Sequence, residues 1–400
     1  MNRDVQIAIG DRIVRAALAG HADDAMLVDV CEALERSGLP LLRVSIGGDL
    51  LDPTLDGRTV RWKRGEGVLA EEFARADGLA ASDDWRKSPF FRLIESGETQ
   101  LRRRLAVDYQ RGEFPVLDML QGLGATDYIA FVAGIGKGTR LGGTRGVISS
   151  WTTDRPGGFD DSHVALLAGF FPTLALAFML RTTNIAARTM VTTYLGTDAA
   201  QRVLAGNIVR GRAERIRAVV WYSDLVGFTR MSETIGAEGV LAVLNDYAEA
   251  QVEAIEAHGG HVLKFIGDGI LAIFPDDDPV RACANALDAA QGQRDRIAAL
   301  SLRRGAAGLP VTSLRLALHI GELLYGNVGS PRRLDFTVLG PAVNEAARIE
   351  ALCGSLDQTV VVSTAFAEAA GAARSRLVSL GRYAMKGVAR PQELFTLDTA

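Results

Sequence analysis

Cysteine is scarce in this chain, whose 400 residues include three, at Cys31, Cys283 and Cys353. They lie far apart and form no CxxC pair, which excludes a disulfide-stapled fold and a structural zinc site and is typical of a reducing compartment. Strong charge of one sign is also absent: the formal net charge is −4, so no basic field is present to attract nucleic acid. The sequence therefore predicts a cytoplasmic protein without a nucleic-acid partner.

Long hydrophobic runs are few, and one segment, Val164–Leu180, needs a test against a membrane span. It carries no charge and is seventeen residues long. A spanning helix needs about 20 apolar residues, with about 17 as the lower limit. Pro172 interrupts the run, and no second candidate is found. We therefore predict a buried core helix, and keep a peripheral or single-span membrane receptor as the alternative.

Residues 1–180 are predicted to form one domain of helices and strands. Apolar spacing predicts a helix over about 7–34, and short apolar runs predict strands at 41–47, 58–65, 99–107, 128–136 and 146–153. A glycine-rich stretch between the last two strands predicts a hairpin loop, and an apolar helix from about Asp160 closes the domain. In its order of helix, strands and helix, this part resembles a GAF-type sensor domain. The resemblance implies a regulatory signal, a small molecule or a protein, that the sequence does not identify.

Residues 181–214 are predicted to be a helical linker, with the helix ending near Leu204. Val191, Leu195, Ala199 and Val203 follow one another at intervals of four, so one apolar stripe runs along it. Two interpretations stay open, because the repeat is too short to identify a coiled coil. The helix either carries a signal from the sensor domain through a dimer contact, or packs on its own domain.

Residues 215–400 are predicted to form a second domain, so the whole chain is of the α/β (α+β) class. Apolar runs predict strands at 217–225, 313–329 and 335–340, and a hairpin over 261–274 around a Gly-Asp-Gly turn. One helix ends at the His258-Gly259-Gly260 stop, another covers about 280–300, and a third begins at Pro341. The resulting order, β-α-β-β-α-β, predicts a ferredoxin-like sheet with helices on one face.

Two acids stand at the ends of predicted strands: Asp224 closes the first strand of the second domain, and Asp268 lies in the hairpin turn. A desolvated carboxylate is costly, and two that meet repel one another unless a divalent cation lies between them. Mg²⁺ suits such a site because it accepts carboxylate and phosphate oxygens and keeps several waters. Gly227 and Phe228 lead into a helix start, whose free N–H groups favour a phosphate. The residues alone therefore predict two acids, a metal pair and a triphosphate cradle.

Several separated motifs in this domain resemble one family. YSDLVGFT, KFIGDGILAIF, HIGELLYGNVG, DFTVLGPAVNEAAR and MKGV look like the catalytic domain of class III nucleotide cyclases, over about residues 215–398. The resemblance implies a homodimer with ATP at the subunit interface and two Mg²⁺ or Mn²⁺ ions per site. The implied reaction is attack of the ribose 3′-hydroxyl on the α-phosphate, which gives cyclic AMP and pyrophosphate.

The resemblance also assigns roles, one residue at a time. Asp224, Asp268 and the backbone carbonyl of Leu225 match the metal ligands, and Lys264 and Thr337 match the residues that read the base. Asn344 matches the residue that orients the ribose, and Arg348 matches the one that stabilises the transition state. Lys386 matches the residue that holds the terminal phosphates. Many family members have aspartate at the position of Thr337, whereas threonine there resembles a bacterial subgroup that also uses ATP. Asn344 and Arg348 are four residues apart, which places them on one helix face.

Whether the domain uses ATP or GTP is predicted from which partner, protein or base, donates the hydrogen bond at the ring edge. A lysine can donate to a ring nitrogen of adenine, whereas the N1–H of guanine requires an acceptor such as glutamate. Guanylate-forming relatives carry glutamate and cysteine at the positions of Lys264 and Thr337, and this chain has neither. We therefore predict an adenylate cyclase regulated by the N-terminal domain. A guanylate or dual-specificity cyclase and a catalytically silent nucleotide-sensing dimer remain alternatives.

Overall fold

The structure, a computed structural model, describes residues 3–75, 82–134, 146–385 and 391–398. The chain divides into two compact units, Met1–Met190 and Val191–Ala400. Both are built from helices and strands, so the expected α+β class is confirmed. The predicted glycine-rich hairpin loop lies almost wholly outside the described residues.

The first unit combines helices with one antiparallel sheet. Its helices are α1 (Arg3–Leu18), α2 (Asp23–Arg36), α3 (Asp83–Arg86), α4 (Pro89–Ser96), α5 (Pro115–Gly122) and α6 (Asp161–Leu195). Its strands are β1 (Arg43–Asp49), β2 (Leu55–Lys63), β3 (Gly67–Ala74), β4 (Gln100–Arg103), β5 (Asp127–Gly134) and β6 (Gly146–Thr153). The strands lie in the order β3-β2-β1-β6-β5-β4, and every neighbouring pair is antiparallel.

The two faces of this sheet differ because side chains alternate along each strand. Val44 and Ile46 of β1 and Trp151 of β6 point to one face, where they form a buried cluster with residues of α1, α2 and α6. Phe170 of α6 packs edge-on against Trp151, with ring centroids 5.5 Å apart. The opposite face lines a large cavity.

Some local predictions for this unit are wrong. The single helix expected over 7–34 is two helices, because the chain turns at Gly20, whose φ of 74° suits glycine. The strand expected at 99–107 is confined to Gln100–Arg103. Strand β3 was not predicted, since most of its residues are exposed and it shows no apolar alternation. The GAF-like assignment stays a prediction.

Helix α6 is, by length and composition alone, able to cross a membrane. Half of its most apolar 18-residue window is buried inside the protein. Leu166, Phe170 and Leu174 belong to the cluster that packs against the sheet, and Pro172 lies inside the helix without ending it. These contacts are those of the predicted core helix.

The second unit is organised around a larger sheet. Its helices are α7 (Thr197–Leu204), α8 (Phe228–Ser232), α9 (Ala237–Ala257), α10 (Pro279–Ala306), α11 (Pro341–Cys353) and α12 (Thr364–Ala369). Its strands are β7 (Ala213–Leu225), β8 (His261–Ile266), β9 (Gly269–Pro275), β10 (Leu314–Ser330), β11 (Arg333–Leu339), β12 (Val360–Ser363), β13 (Leu377–Tyr383) and β14 (Gln392–Leu397). The strand order is β13-β14-β12-β10-β7-β9-β8, with β11 paired to β10.

Strand β7 lies at the centre of this sheet, antiparallel to β10 on one side and to β9 on the other. Val219 and Trp221 of β7 are fully buried. The succession β7-α9-β8-β9-α10-β10 follows the predicted β-α-β-β-α-β order, so the ferredoxin-like expectation is confirmed. This topology brings the end of β7 and the β8–β9 turn together.

The linker differs from its prediction. Helix α6 ends at Leu195, and α7 is a separate helix. Between them Gly196 has a φ of 78°, and a Cβ there would lie 2.5 Å from the Val262 carbonyl oxygen, so this position requires glycine. The predicted helix is therefore interrupted, but Leu195, Ala199 and Val203 of the predicted stripe pack against the same apolar cluster. Ala199 of α7 is buried in an apolar cluster of the second unit, so α7 packs on its own domain, as one of the two interpretations predicts.

Candidate active site

The two predicted metal acids meet at one end of the central strands. Asp224 is the penultimate residue of β7, and Asp268 lies in the short turn between β8 and β9. Because β9 pairs with β7 beside that turn, the two carboxyl groups come within hydrogen-bonding reach of each other. The Leu225 backbone N–H donates to Asp268 Oδ2 at 3.3 Å, which orients that carboxylate.

Acidic groups outnumber basic ones around Asp224. Burial, and then the neighbouring Asp268 carboxylate, raise the pKa of Asp224 to about 6. Glu350 of α11 is 9% exposed, and its pKa is also raised, first by burial and then by Asp224. Arg315, opposite Asp224 on β10, opposes both rises in pKa. Several carboxyl groups thus crowd around one arginine, and a cation would relieve their repulsion.

The donor set fits a hard divalent cation. No group of three or more His, Cys, Asp or Glu side chains within the described ranges could hold a metal ion by itself. Mg²⁺ does not require such a cage, since one or two carboxylates are completed by water and substrate phosphates. That chemistry suits the Asp224 and Asp268 carboxylates and the Leu225 carbonyl, because a bound cation would reduce the repulsion between the two carboxylates.

A buried polar network holds the end of β7. Ser223 Oγ donates to Gln251 Oε1 of α9 at 2.6 Å, and the Trp221 indole N–H donates to Ser223 Oγ at 3.2 Å. Gln293 Nε2 of α10 donates to the same Gln251 oxygen at 3.2 Å. These side chains are at most 2% exposed, so the network ties β7 to two helices directly beside Asp224. Isolated Ser and Gln residues produce no periodic signal, and sequence patterns did not reveal it.

The predicted base readers lie near a residue that was not predicted. Lys264 Nζ donates to Asp335 Oδ2 at 2.5 Å. Asp335 precedes Thr337 by two residues in β11, so the two side chains share a face of the strand. Thr337 is 5% exposed, and its hydroxyl finds no hydrogen-bond partner among the residues described. The two-residue spacing from Thr337 was the signal that could have identified Asp335.

Asn344 and Arg348 lie on one face of α11, as their spacing predicts. Both are exposed, whereas Ala346 and Ile349 of the same helix are buried. Over the described ranges, neither makes a hydrogen bond or an ion pair. The helix begins at Pro341, as predicted, and presents both side chains to solvent.

Three other predicted contacts stay predictions. Gly227 adopts a φ of 68° ahead of α8, which is five residues long, so any phosphate contact would depend on local N–H groups rather than on a helix dipole. Phe228 packs against a buried apolar cluster. Lys386 lies outside the described residues.

Comparison with known proteins agrees with this geometry. A model of the adenylate and guanylate cyclase catalytic domain family matches residues 212–399. The second unit is a class III adenylate/guanylate cyclase catalytic domain. An adenylate cyclase of Anabaena cylindrica is 38% identical to this cyclase domain over 154 residues, which are 36% of this chain and 29% of that protein. Adenylate cyclase 1 of Rhizobium meliloti is 32% identical over 159 residues, which are 39% of this chain and 24% of that protein.

Solved structures also match the cyclase domain. The adenylyl cyclase CyaB of P. aeruginosa is 25% identical with a TM-score of 0.43, over 47% of this chain and 97% of the solved chain. The guanylyl cyclase Cya2 is 30% identical with a TM-score of 0.40, over 47% of this chain and 95% of the solved chain. The chain spans less than a third of the length of the two curated relatives. Since the matching family includes adenylate and guanylate cyclases, the choice between ATP and GTP depends on the site residues.

We expect Mn²⁺ affinity of the cyclase domain to fall as the pH falls below about 6, the pKa of Asp224. A metal ligand must be deprotonated, so below its pKa a proton competes with the ion, and affinity falls by about tenfold per pH unit. Above pH 6 the affinity should level off. Titration of free Mn²⁺ by electron paramagnetic resonance measures this directly. The exposed carboxylate substitution Asp277→Asn should leave the profile unchanged, and a flat profile between pH 5 and 7 would remove Asp224 from the metal site.

Proposed function

We propose that the cyclase domain converts ATP to 3′,5′-cyclic AMP and pyrophosphate as a homodimer. The observation that carries the proposal is one hairpin that presents Asp268 beside Asp224 and, four residues earlier, Lys264 rather than a glutamate. The purified full-length protein, incubated with ATP or GTP and Mn²⁺, tests it by mass spectrometry of the product. Cyclic GMP as the main product would replace the adenylate assignment, and no product from either nucleotide would favour a silent nucleotide sensor.

The metal ligands would be the Asp224 and Asp268 carboxylates and the Leu225 carbonyl oxygen, which together would hold two Mg²⁺ or Mn²⁺ ions. Bound there, the ions would supply positive charge to the attacking and leaving oxygens. Arg348 would donate its planar N–H groups to a phosphoryl oxygen as negative charge develops. Asn344 would orient the ribose, and Lys386 the terminal phosphates. Most of the rate enhancement would then come from positioning and charge stabilisation.

Exposed apolar side chains around the site support a second copy of the chain as partner. Phe265 and Ile266, between Lys264 and Asp268, are 59% and 40% exposed. Leu324 and Leu339 stand directly opposite each other on β10 and β11 and are also exposed. Apolar patches beside polar residues are typical of interaction sites. A second subunit would cover them and bring its own site residues to the nucleotide.

We expect Lys264→Glu combined with Thr337→Cys to shift the nucleotide preference from ATP toward GTP. The substitutions replace a donor by an acceptor at the edge where guanine offers its N1–H. A mismatched polar edge leaves buried groups unpaired, so ATP turnover should fall by a factor on the order of 10² or more. Side-by-side turnover assays with both nucleotides measure the ratio.

The Lys264–Asp335 ion pair requires additional control variants in this experiment. Lys264→Glu would place a second carboxylate against Asp335, and the two would repel each other. The double variant is therefore compared with and without Asp335→Asn, and Lys264→Gln serves as the control that removes charge without adding a carboxylate. A parental ATP-to-GTP ratio in every variant would show that these residues do not read the base.

One observation favours dual specificity as a second candidate function. Asp335 brings a carboxylate beside Lys264, and a base that displaced this ion pair would meet an acceptor suited to the guanine N1–H. Comparable wild-type turnover of ATP and GTP would support this candidate.

The N-terminal unit is proposed to be a GAF-like sensor of a small-molecule or protein signal, and the protein is proposed to be cytoplasmic. Cyclic AMP production by the full chain, compared with a form that begins at Arg181, would show whether the unit raises or lowers the output. Fractionation after lysis would test the location, since recovery in the membrane pellet would contradict it.

A further inference from the structure

The face of the N-terminal sheet opposite the main core lines a cavity of about 1890 Å³. Ligand pockets usually have volumes of roughly 300–1,000 Å³, so this cavity has room for a small molecule. Its apolar wall includes Trp85, Phe90, Leu93 and Val132. Aromatic and aliphatic side chains of this kind bury the body of an organic ligand, and the polar groups among them determine its orientation.

Each basic side chain that lines this cavity, apart from Arg43, pairs with an acidic residue. Arg58 lies 3.4 Å from Asp23, Arg61 contacts Glu71 through two hydrogen bonds of 2.7 and 3.0 Å, Lys63 pairs with Glu66, Arg75 lies 3.0 Å from Asp56, and Lys87 lies 3.0 Å from Asp83. Arg43 also lines the cavity, but it has no acidic partner and no hydrogen-bond acceptor among the residues that the structure describes.

Arg43 nevertheless remains charged. Burial, and then the nearby Arg61, lower the pKa of its guanidinium to about 10, which still leaves it protonated at neutral pH. Arg43 is partly exposed, and a charge largely removed from water is normally paired, because its desolvation costs free energy. Glu71 raises the Arg43 pKa, but its carboxylate accepts two hydrogen bonds from Arg61. The lining carboxylates of Asp84 and Glu98 are exposed, so Arg43 has no ion-pair partner of its own among the described residues.

Hydroxyl groups surround Arg43 on the same face of the sheet. The strand register places Thr152 of β6 opposite both Arg43 of β1 and Tyr128 of β5. Thr152 is fully buried, and its hydroxyl lacks a hydrogen-bond partner within the described part of the chain. The hydroxyls of Ser45 and Ser150, 2.7 Å apart, line the cavity beside them. The Arg43 guanidinium and the hydroxyls of Ser45 and Ser150, which line the cavity, can donate hydrogen bonds to a ligand there.

We propose that this cavity binds an organic anion with an aromatic or aliphatic body, whose carboxylate, phosphate or sulfonate group pairs with the Arg43 guanidinium. The planar N–H donors of arginine match such oxyanions, and the interaction is strong where water is excluded. The apolar wall would contact the body of the ligand. The inference rests on the proposed sensor function of the N-terminal unit, for which it names a ligand class, and does not depend on the proposed cyclase activity.

The test uses two dyes that differ by one anionic group. 1-Anilinonaphthalene-8-sulfonate carries a sulfonate, and N-phenyl-1-naphthylamine has the same ring system without it. In fluorescence titrations of the full-length protein, Arg43→Gln should weaken binding of the sulfonate dye by about tenfold or more, because a charge-assisted pair is lost. Binding of the neutral dye should change less than twofold. Displacement of the sulfonate dye by 1-naphthyl phosphate or 1-naphthaleneacetate then distinguishes a phosphate from a carboxylate ligand.

Arg15→Gln is the matched control, since Arg15 is exposed and pairs with Asp11 on α1, away from the cavity lining. It should leave both dye affinities unchanged. Equal loss of both dyes in Arg43→Gln, or no loss of the sulfonate dye, would overturn the proposal.

A second measurement separates a binding arginine from a structural one. Because Arg43 forms no ion pair within the described part of the chain and lies near Arg61, removing its charge should raise the thermal midpoint of the ligand-free protein by a few degrees. Arg43→Lys should retain part of the sulfonate-dye affinity but not the two-pronged geometry of the guanidinium. A lower midpoint in Arg43→Gln would show instead that the guanidinium stabilises the fold, and would contradict the proposal.

Discussion

Asp224→Asn or Asp268→Asn is expected to abolish cyclic AMP formation while leaving the fold intact. Each substitution removes a ligand and a charge from a site that needs both. Several kcal/mol of charge stabilisation would be lost, which corresponds to a fall in turnover on the order of 10³-fold or more. Cyclic AMP formed at saturating ATP and Mn²⁺ measures the effect.

Stability separates this role from a structural one. Burial, and then repulsion from the Asp268 carboxylate, raise the pKa of Asp224, so the charged form of this carboxyl group is disfavoured in the folded protein. Conversion of either carboxyl group to an amide should therefore leave the thermal midpoint of the metal-free protein unchanged or higher, whereas loss of a structural residue would lower it. Asp277→Asn, an exposed carboxylate substitution on the same unit, controls for general effects of charge. Near-normal turnover in either variant at saturating Mn²⁺ would refute the metal assignment.

Mixing two inactive variants, Asp224→Asn and Arg348→Ala, is expected to restore activity. If one subunit supplies the metal acids and the other supplies Lys264, Asn344 and Arg348, each heterodimer contains one site free of both substitutions. Random exchange gives about half heterodimers, so recovery should approach about a quarter of wild-type turnover, by the symmetry of an isologous interface. Asn344 and Arg348 on α11 are exposed and make no hydrogen bond or ion pair with the other described residues, which agrees with use by another chain.

A matched pair provides the control for this experiment. Asp224→Asn mixed with Asp268→Asn should recover nothing, because both substitutions affect the same half of every site. Subunit exchange is verified with two affinity tags on the differently substituted chains. No recovery in an exchanged Asp224→Asn and Arg348→Ala mixture would place the whole site within one chain.

Much of the cyclase domain could be predicted because its signals are local. The hairpin around Asp268 and the helix start at Pro341 follow from turn and proline chemistry, and both appear where expected. Asn344 and Arg348 share a helix face because four residues are close to one turn. The single helix expected up to about Leu204 is broken, because a backbone requirement at Gly196, imposed by the distant Val262, separates α6 from α7. Leu195, Ala199 and Val203 of the predicted apolar stripe still pack against one cluster.

The sequence by itself determined the two acids at strand ends, the lysine ahead of the hairpin turn and the fold class, since each depends on residue type and short-range spacing. Only the tertiary structure decided that Asp335 pairs with Lys264 and that Glu350 and Arg315 adjoin the metal acids. It also decided that Arg43 has no ion-pair partner among the described residues. Those facts depend on contacts between residues far apart in the chain. Strand register and burial, rather than residue identity, determine which charges meet and which remain unpaired.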